Sequence, residues 1–173
     1  TVRLVTEGLE QVPAAYAGPV RDICIQMVRN SIAHGIEPPA ERTAAGKPAT
    51  GVVRVSFTDD GTQDYTLLIE DDGQGLNPAQ IRDRARERGL LDPEQAAALD
   101  RSGAFRLIFQ PGFSTATEVT EHAGHGVGLD VVNAAVRGCG GRIGIATAPG
   151  KYTRFKVVLP RSAAPADAHA SAA

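Results

Sequence analysis

From Val20 to Ser31 the chain places Val20, Ile23, Cys24, Met27, Val28 and Ser31 at the three-and-four spacing of a helix that buries one stripe. Gln26, Asn30 and His34 recur every four residues, so three polar side chains share a second face of the same helix. Gly18-Pro19 reads as the break that opens this helix, which runs to His34, and residues 2–6 read as a short strand before it. Residues 35–50, GIEPPAERTAAGKPAT, carry no sustained period and read as a loop. Strict alternation then appears twice, at Val52–Thr58 and Tyr65–Glu70, two strands joined by the turn Asp59-Asp60-Gly61. Asn77-Pro78 caps a predicted helix to about Arg88 that Gly89 ends, Asp92-Pro93-Glu94 caps a short one, and Ser102–Phe109 predicts a helical turn or two.

The segment 110–125 holds glycine, proline, serine and threonine without an apolar stripe, a composition suited to a mobile lid. A helix over Gly126–Arg137 follows, stopped by the glycines from 138 to 141, and Arg142–Thr147 with Tyr152–Leu159 predict a closing hairpin across Pro149-Gly150. Residues 1–160 therefore form one predicted domain, with the alanine-rich stretch 161–173 a disordered tail or linker. This alternation of elements predicts an α+β class.

Composition narrows the partners. With 42% hydrophobic residues in 173, the chain can bury a core. A formal charge of −2 lacks the positive surface of a sequence-independent nucleic-acid binder, and 5% aromatic residues with no Trp give no stacking platform. Two cysteines, Cys24 and Cys139, suggest neither a disulfide framework nor a zinc site, which points to a reducing cytoplasm. There is no run of about 18 apolar residues and TVRLVTEGLE is not a signal peptide, so direct membrane insertion is not expected. The segment reads as excised from a longer protein.

The chemistry concentrates in three places. Gly124-His125-Gly126-Val127-Gly128 runs into a helix, where closely approaching backbone amides can bind phosphate oxygens. Asp71-Asp72-Gly73-Gln74-Gly75 ends a strand, and Asp71 can accept from the exocyclic amine of a base, which favours adenine over guanine. Alone, DDGQG is a turn, Asn30 a helix-surface amide and GHGVG a helix-capping turn; their order along the chain makes a nucleotide site. Gly46-Lys47 precedes Pro48 with no glycine five residues before it, so there is no P-loop, and GHGVG lacks the preceding strand of a dinucleotide fingerprint. His122 and His125 lack the companions of a metal site.

With the order helix-Asn, strand-DxGxG, lid and GxGxG-helix, VRNSIAHGIEPPAERTAAGKP, EDDGQGL, FQPGFSTATEVT and GHGVGLDVV resemble the N, G1, F and G2 boxes of the GHKL ATP-binding superfamily, specifically the catalytic domain of CheA-type chemotaxis histidine kinases. The resemblance covers residues 2–160 and implies a two-layer α/β sandwich of the Bergerat type, a mixed, largely antiparallel sheet with helices on one face. It implies ATP and Mg²⁺ as cofactors, with Asn30 on the metal, Asp71 on the adenine amine, and Gly73 and Gly75 shaping the base pocket. Arg29 and His34 would lie near the phosphates, Phe113, Ser114 and Thr115 would close around the nucleotide, and Gly124, His125, Gly126, Val127 and Gly128 would wrap the phosphates. Arg84 resembles a phosphate-approaching basic residue, and equally reads as one of the solvated run Arg82, Arg84, Arg86 and Arg88.

The implied function is transfer of the ATP γ-phosphate to a histidine on a separate phosphoacceptor domain, in cis or in trans. A response regulator would act downstream, and dimerisation and coupling modules would lie outside this chain, in a cytoplasmic assembly that other domains tie to membrane receptors. Two positions depart from the pattern. Gln26 stands where the family usually carries His, or Glu in the wider superfamily, and an amide cannot take up a proton as a general base. Ala33 precedes His34 where DHG is common. A regulatory module that binds ATP and acts by ordering its lid is therefore the alternative, with Gln26, Asn30 and His34 the catalytic candidates of the kinase reading.

Overall fold

The computed structural model describes residues 1–59, 61, 64–111, 113 and 128–161. The described residues form two compact units, residues 1–75 with 134 onward, and residues 76–133. The first unit is built on a five-stranded sheet in the order β1-β2-β3-β5-β4. Its strands are β1 (Val2–Glu7), β2 (Gly51–Asp59), β3 (Asp64–Asp71), β4 (Arg142–Ala148) and β5 (Tyr152–Pro160). Only β1 and β2 pair in parallel; the other neighbours are antiparallel. The sheet is therefore mixed and largely antiparallel, as the resemblance implies.

The alternation that predicted β2 and β3 is the alternation of burial. Val53, Val55 and Phe57 on β2, and Tyr65, Leu67 and Ile69 on β3, face the core, with Phe155, Val157 and Leu159 of β5 beside them. Register puts Val55 opposite Ile69 and Ile69 opposite Phe155, so one apolar row crosses three strands. Helix α1 (Ala14–Asn30) lays Tyr16, Val20, Ile23 and Met27 into the core. Tyr16 meets Tyr65 edge to face at 5.9 Å between centroids, and Phe57 stacks on Tyr65 at 5.6 Å.

Helix α1 begins earlier than the sequence pattern suggests, because Pro19 lies inside it. A proline within a helix removes one backbone hydrogen bond and crowds the preceding turn. Here Tyr16 and Val20, both buried, hold the turns on either side, and the Tyr16 hydroxyl donates to the Pro160 carbonyl at 2.6 Å. At its other end α1 stops at Asn30, not His34. Residues Ser31–Gly35 form a wider π-type turn closed by the Ile36 N–H donating to the Ser31 carbonyl, five residues back, at 2.8 Å. The stretch read as a loop also contains a short helix, α2 (Pro39–Ala44), opened by Pro39 at its first position.

The second unit holds α3 (Pro78–Glu87), α4 (Pro93–Ala98), α5 (Arg101–Leu107) and the start of α6 (Leu129–Gly138). The predicted caps are present: Asn77 accepts from the Ala79 N–H, and Asp92 and Gln95 form a reciprocal capping box. Asp100 caps α5 through the Gly103 N–H at 2.6 Å. Gly89, at φ +69°, ends α3, with the Leu90 N–H reaching back to the Ala85 carbonyl.

Tyr16→Phe removes the part-buried hydrogen bond to Pro160 while keeping the ring. Urea unfolding should show a loss of about 1 kcal/mol.

Candidate functional site

The centre of the site is the end of β3. Asp71 is the last residue of that strand and is 3% exposed, yet it is ionisable. Its Oδ2 accepts from the Ser31 hydroxyl at 2.9 Å and its Oδ1 from the Gly73 N–H at 3.1 Å. Burial pushes its pKa above the ordinary carboxylate value, opposed by the hydrogen bonds from Ser31, Gly73 and the Thr153 backbone and reinforced by the neighbouring Asp72 charge. An acceptor held this way, out of water, suits recognition of a single donor group.

The turn after Asp71 is packed so closely, against Gly35 on one side and the end of β4 on the other, that two glycines are obligatory. A Cβ on Gly73 would stand 2.1 Å from the Gly35 carbonyl oxygen, and one on Gly75, already at φ +69°, would stand 2.4 Å from the Ala148 carbonyl oxygen. Hydrogen bonds stitch the same surfaces: Gln74 donates through its backbone to the Gly35 carbonyl at 2.9 Å and through Nε2 to the His34 carbonyl at 2.7 Å. The Gly150 N–H in the β4–β5 turn donates to the Gln74 carbonyl at 2.6 Å.

A third support comes from residues 35–50. Arg42, although on a six-residue helix, is fully buried. Its guanidinium reaches Glu37 at 3.0 Å, the Asp72 carboxylate at 2.9 Å, and the Pro48 and Asp72 carbonyls at 2.8 and 3.2 Å. Lys47 Nζ donates to Glu37 at 2.6 Å and to the carbonyls of Asp72 and Gly73 at 3.0 and 2.8 Å. Burial raises the Glu37 pKa, but the Lys47 hydrogen bond, a backbone hydrogen bond and the two cations outweigh it and hold the carboxyl below its usual value. Sequence reasoning missed Arg42 and Lys47. Pro38-Pro39 ahead of Glu41 was the available helix-start signal, but six residues are too few to show a period.

The predicted site residues divide by place. Gln26 and Asn30 are half-buried on α1, Arg29 is exposed in its last turn, and His34 is exposed in the π-type turn. Asp71, Gly73 and Gly75 follow in the strand end and turn that pack on that segment, so the first unit gathers the residues assigned to the base and metal. In the second unit Arg84 is exposed on α3, Phe113 is buried, and the buried Gly128 accepts from the Val131 N–H at 3.2 Å as α6 begins. Ser114, Thr115, Gly124, His125, Gly126 and Val127, and with them nearly all of the predicted lid and of GHGVG, lie outside the described residues.

The residues fit an adenine nucleotide in one respect the structure lets us test: a buried carboxylate with acceptor capacity left over is what an exocyclic amine needs. Among the described residues there is no group of three or more His, Cys, Asp or Glu able to hold a metal ion. Mg²⁺ is commonly bound by one or two protein ligands with substrate phosphates and water, so an Asn30 amide oxygen fits that role without an all-protein cage.

Residues 18–163 match the family model described as histidine kinase-, DNA gyrase B- and HSP90-like ATPase. The chain is 40% identical to the gliding motility regulatory protein of Myxococcus xanthus, over 94% of this chain and 21% of that protein. It is 39% identical to the chemotaxis protein CheA of Bacillus subtilis, over 82% of this chain and 21% of that protein. The sensor histidine kinase CheAY of Helicobacter pylori is 37% identical over 92% of this chain and 20% of its own length. The chain thus spans about a fifth of the length of the curated relatives it matches. Among solved structures, the nucleotide-free catalytic domain of histidine kinase ThkA superposes with a TM-score of 0.52 at 16% identity, covering 92% of this chain and 78% of that one, a likeness of fold.

Arg42→Met should leave Glu37 and Asp72 without their shared buried cation. Breaking such a pair costs on the order of 3 kcal/mol, and urea unfolding should show a midpoint well below that of the unchanged protein.

Proposed function

The chain belongs to the histidine kinase-, DNA gyrase B- and HSP90-like ATPase family, and from that premise we propose that it is the ATP-binding catalytic domain of a CheA-like histidine kinase. In this reading it passes the γ-phosphate of ATP to a histidine on a separate phosphoacceptor domain. The observation that carries it is the buried Asp71 carboxylate, held by Ser31 and Gly73 at the strand end beside the Asn30 segment. Sequence identity of 37–40% to the CheA and gliding-motility proteins supports the same assignment.

Asp71 accepts from the adenine amine, and Gly73 and Gly75 keep the turn narrow. Asn30 offers its amide oxygen to Mg²⁺, which when bound neutralises phosphate charge. Arg29, His34 and Arg84 supply donors to the phosphates, together with the amides of Gly124, His125, Gly126, Val127 and Gly128, and Phe113, Ser114 and Thr115 close around the nucleotide. Phosphoryl transfer depends chiefly on positioning and electrostatic stabilisation, so Gln26 acts by orienting rather than by taking a proton. The acceptor domain, a response regulator, and dimerisation and coupling modules complete the pathway. No helix among the described residues is long and apolar enough to cross a membrane, and the reading places the domain in the cytoplasm, tied to receptors through other modules.

The neutral amide of Gln26 favours one competing reading, a module that has lost phosphotransfer and signals through nucleotide-dependent ordering. General-base help is worth about 10²–10⁴-fold, so slow transfer in trans to a cognate acceptor is the expected behaviour of the native chain. Gln26→His should raise the phosphohistidine yield from labelled ATP with ATP affinity unchanged. Absence of phosphohistidine from both proteins, with ATP bound and a cognate acceptor present, would establish the regulatory reading.

For the base, calorimetric titration with Mg²⁺ present should give tighter binding of ATP than of GTP, whose carbonyl replaces the amine. Asp71→Asn should weaken ATP by one to two decades, the loss of a hydrogen bond to a charged group worth about 1.5–3 kcal/mol. Equal affinities for ATP and GTP would contradict the assignment of Asp71.

A further inference from the structure

Ser31 touches the carboxylate that the proposed function assigns to the base, and its own position is fixed from both sides. Its N–H donates to the carbonyls of Met27 and Val28 at the end of α1, and its carbonyl accepts from Ile36 across the wide turn. The side chain is 5% exposed, so water does not compete for its hydroxyl. Ser31 keeps helical dihedrals and the helical N–H bond, while its carbonyl opens the wide turn and its hydroxyl meets Asp71 Oδ2 at 2.9 Å.

A carboxylate has about four acceptor sites. Ser31 takes one on Oδ2 and Gly73 one on Oδ1. The space around it is filled as well: a Cβ on Gly35 would stand 3.0 Å from Oδ2. Among the described residues Ser31 is the one side chain that donates to Asp71, so its hydroxyl restricts rotation of the carboxylate while leaving acceptor sites for a further donor.

We propose that Ser31 is a positioning residue that determines base selectivity, its hydroxyl fixing the Asp71 carboxylate so that the remaining acceptor capacity serves the exocyclic amine of a 6-aminopurine. The inference rests on the nucleotide-site reading above. It also gives the wide turn a purpose, because Asn30, the residue next to Ser31, is the one assigned to the metal. One short segment then positions both ends of the nucleotide.

The test uses this domain with three Mg²⁺-bound ligands: ATP, GTP and purine riboside triphosphate, which has neither the amine nor the carbonyl at that position. The native domain should bind ATP more tightly than purine riboside triphosphate. Ser31→Ala should weaken ATP about tenfold and leave purine riboside triphosphate within about twofold, collapsing the ratio between them. Ser31→Cys, close in size but a weak donor, should also reduce the ratio, while Ser31→Thr, which keeps the hydroxyl, should restore it. The Cys and Thr variants carry the test if the Ala variant does not fold. A purely structural role would weaken both ligands alike, and an unchanged ratio in the Ala or Cys variant overturns the inference. If the native domain itself binds the three ligands equally, the adenine assignment of Asp71 fails first, an outcome distinct from failure of Ser31 alone.

Discussion

A carboxylate buried at the end of β3 constrains everything around it. Taking an ionised group out of water is costly unless donors replace the hydration shell. Asp71 receives those donors from two directions, the Ser31 hydroxyl beyond α1 and the Gly73 N–H of its own turn. The Ser31 hydroxyl reaches the carboxylate only where the two segments nearly touch, and there a Cβ on Gly73 would stand 2.1 Å from the Gly35 carbonyl oxygen and one on Gly35 would stand 3.0 Å from Asp71 Oδ2. The glycines, the wide turn and the strand end are one arrangement imposed by one charged group.

That arrangement needs a support that does not itself occupy the site, and residues 35–50 provide it. Arg42 and Lys47 hold the carbonyl oxygens of Asp72 and Gly73, while Glu37 balances the two cations. Buried ion pairs contribute little net stability compared with an apolar core but penalise any alternative geometry that leaves one partner alone. Their place here, directly behind the turn that follows Asp71, makes the turn rigid without narrowing the acceptor face. The Asp72 carboxylate extends the same logic to the sheet by accepting from the Val52 N–H at 2.8 Å.

The strands and most helices were legible because their burial repeats at two or near four residues and their caps are local. Asn77, Asp92 and Asp100 need only a backbone amide two or three residues away. The parts that were not legible depend on distant partners. Pro19 reads as a break until Tyr16 is seen anchored to Pro160, and GIEPPAERTAAGKP reads as a loop until Arg42 meets Asp72 thirty residues away. Likewise DxGxG and the helix amide point to the candidate base site, whereas the spacing of Ser31 shows only one more position on the core-facing stripe. It is on that stripe, and it is also the donor to Asp71, a role that a periodic pattern cannot distinguish from packing.

The position of Gln26 can be separated physically from that of Asp71. Asp71 is fixed by burial and by donors from two segments, Ser31 and Gly73, so its geometry as an acceptor is set by the fold. Gln26 is half-buried one turn before Asn30 on a continuous helix and is a partner neither in the Ser31–Asp71 contact nor in the Arg42 ion pairs. In the proposed reading, nucleotide recognition and proton handling rest on different parts of the molecule: the first on the junction of α1, β3 and residues 35–50, the second on one side chain on a helix face. A chain can keep the first while altering the second, which is the combination that an intact Asp71 site with a neutral amide at position 26 presents.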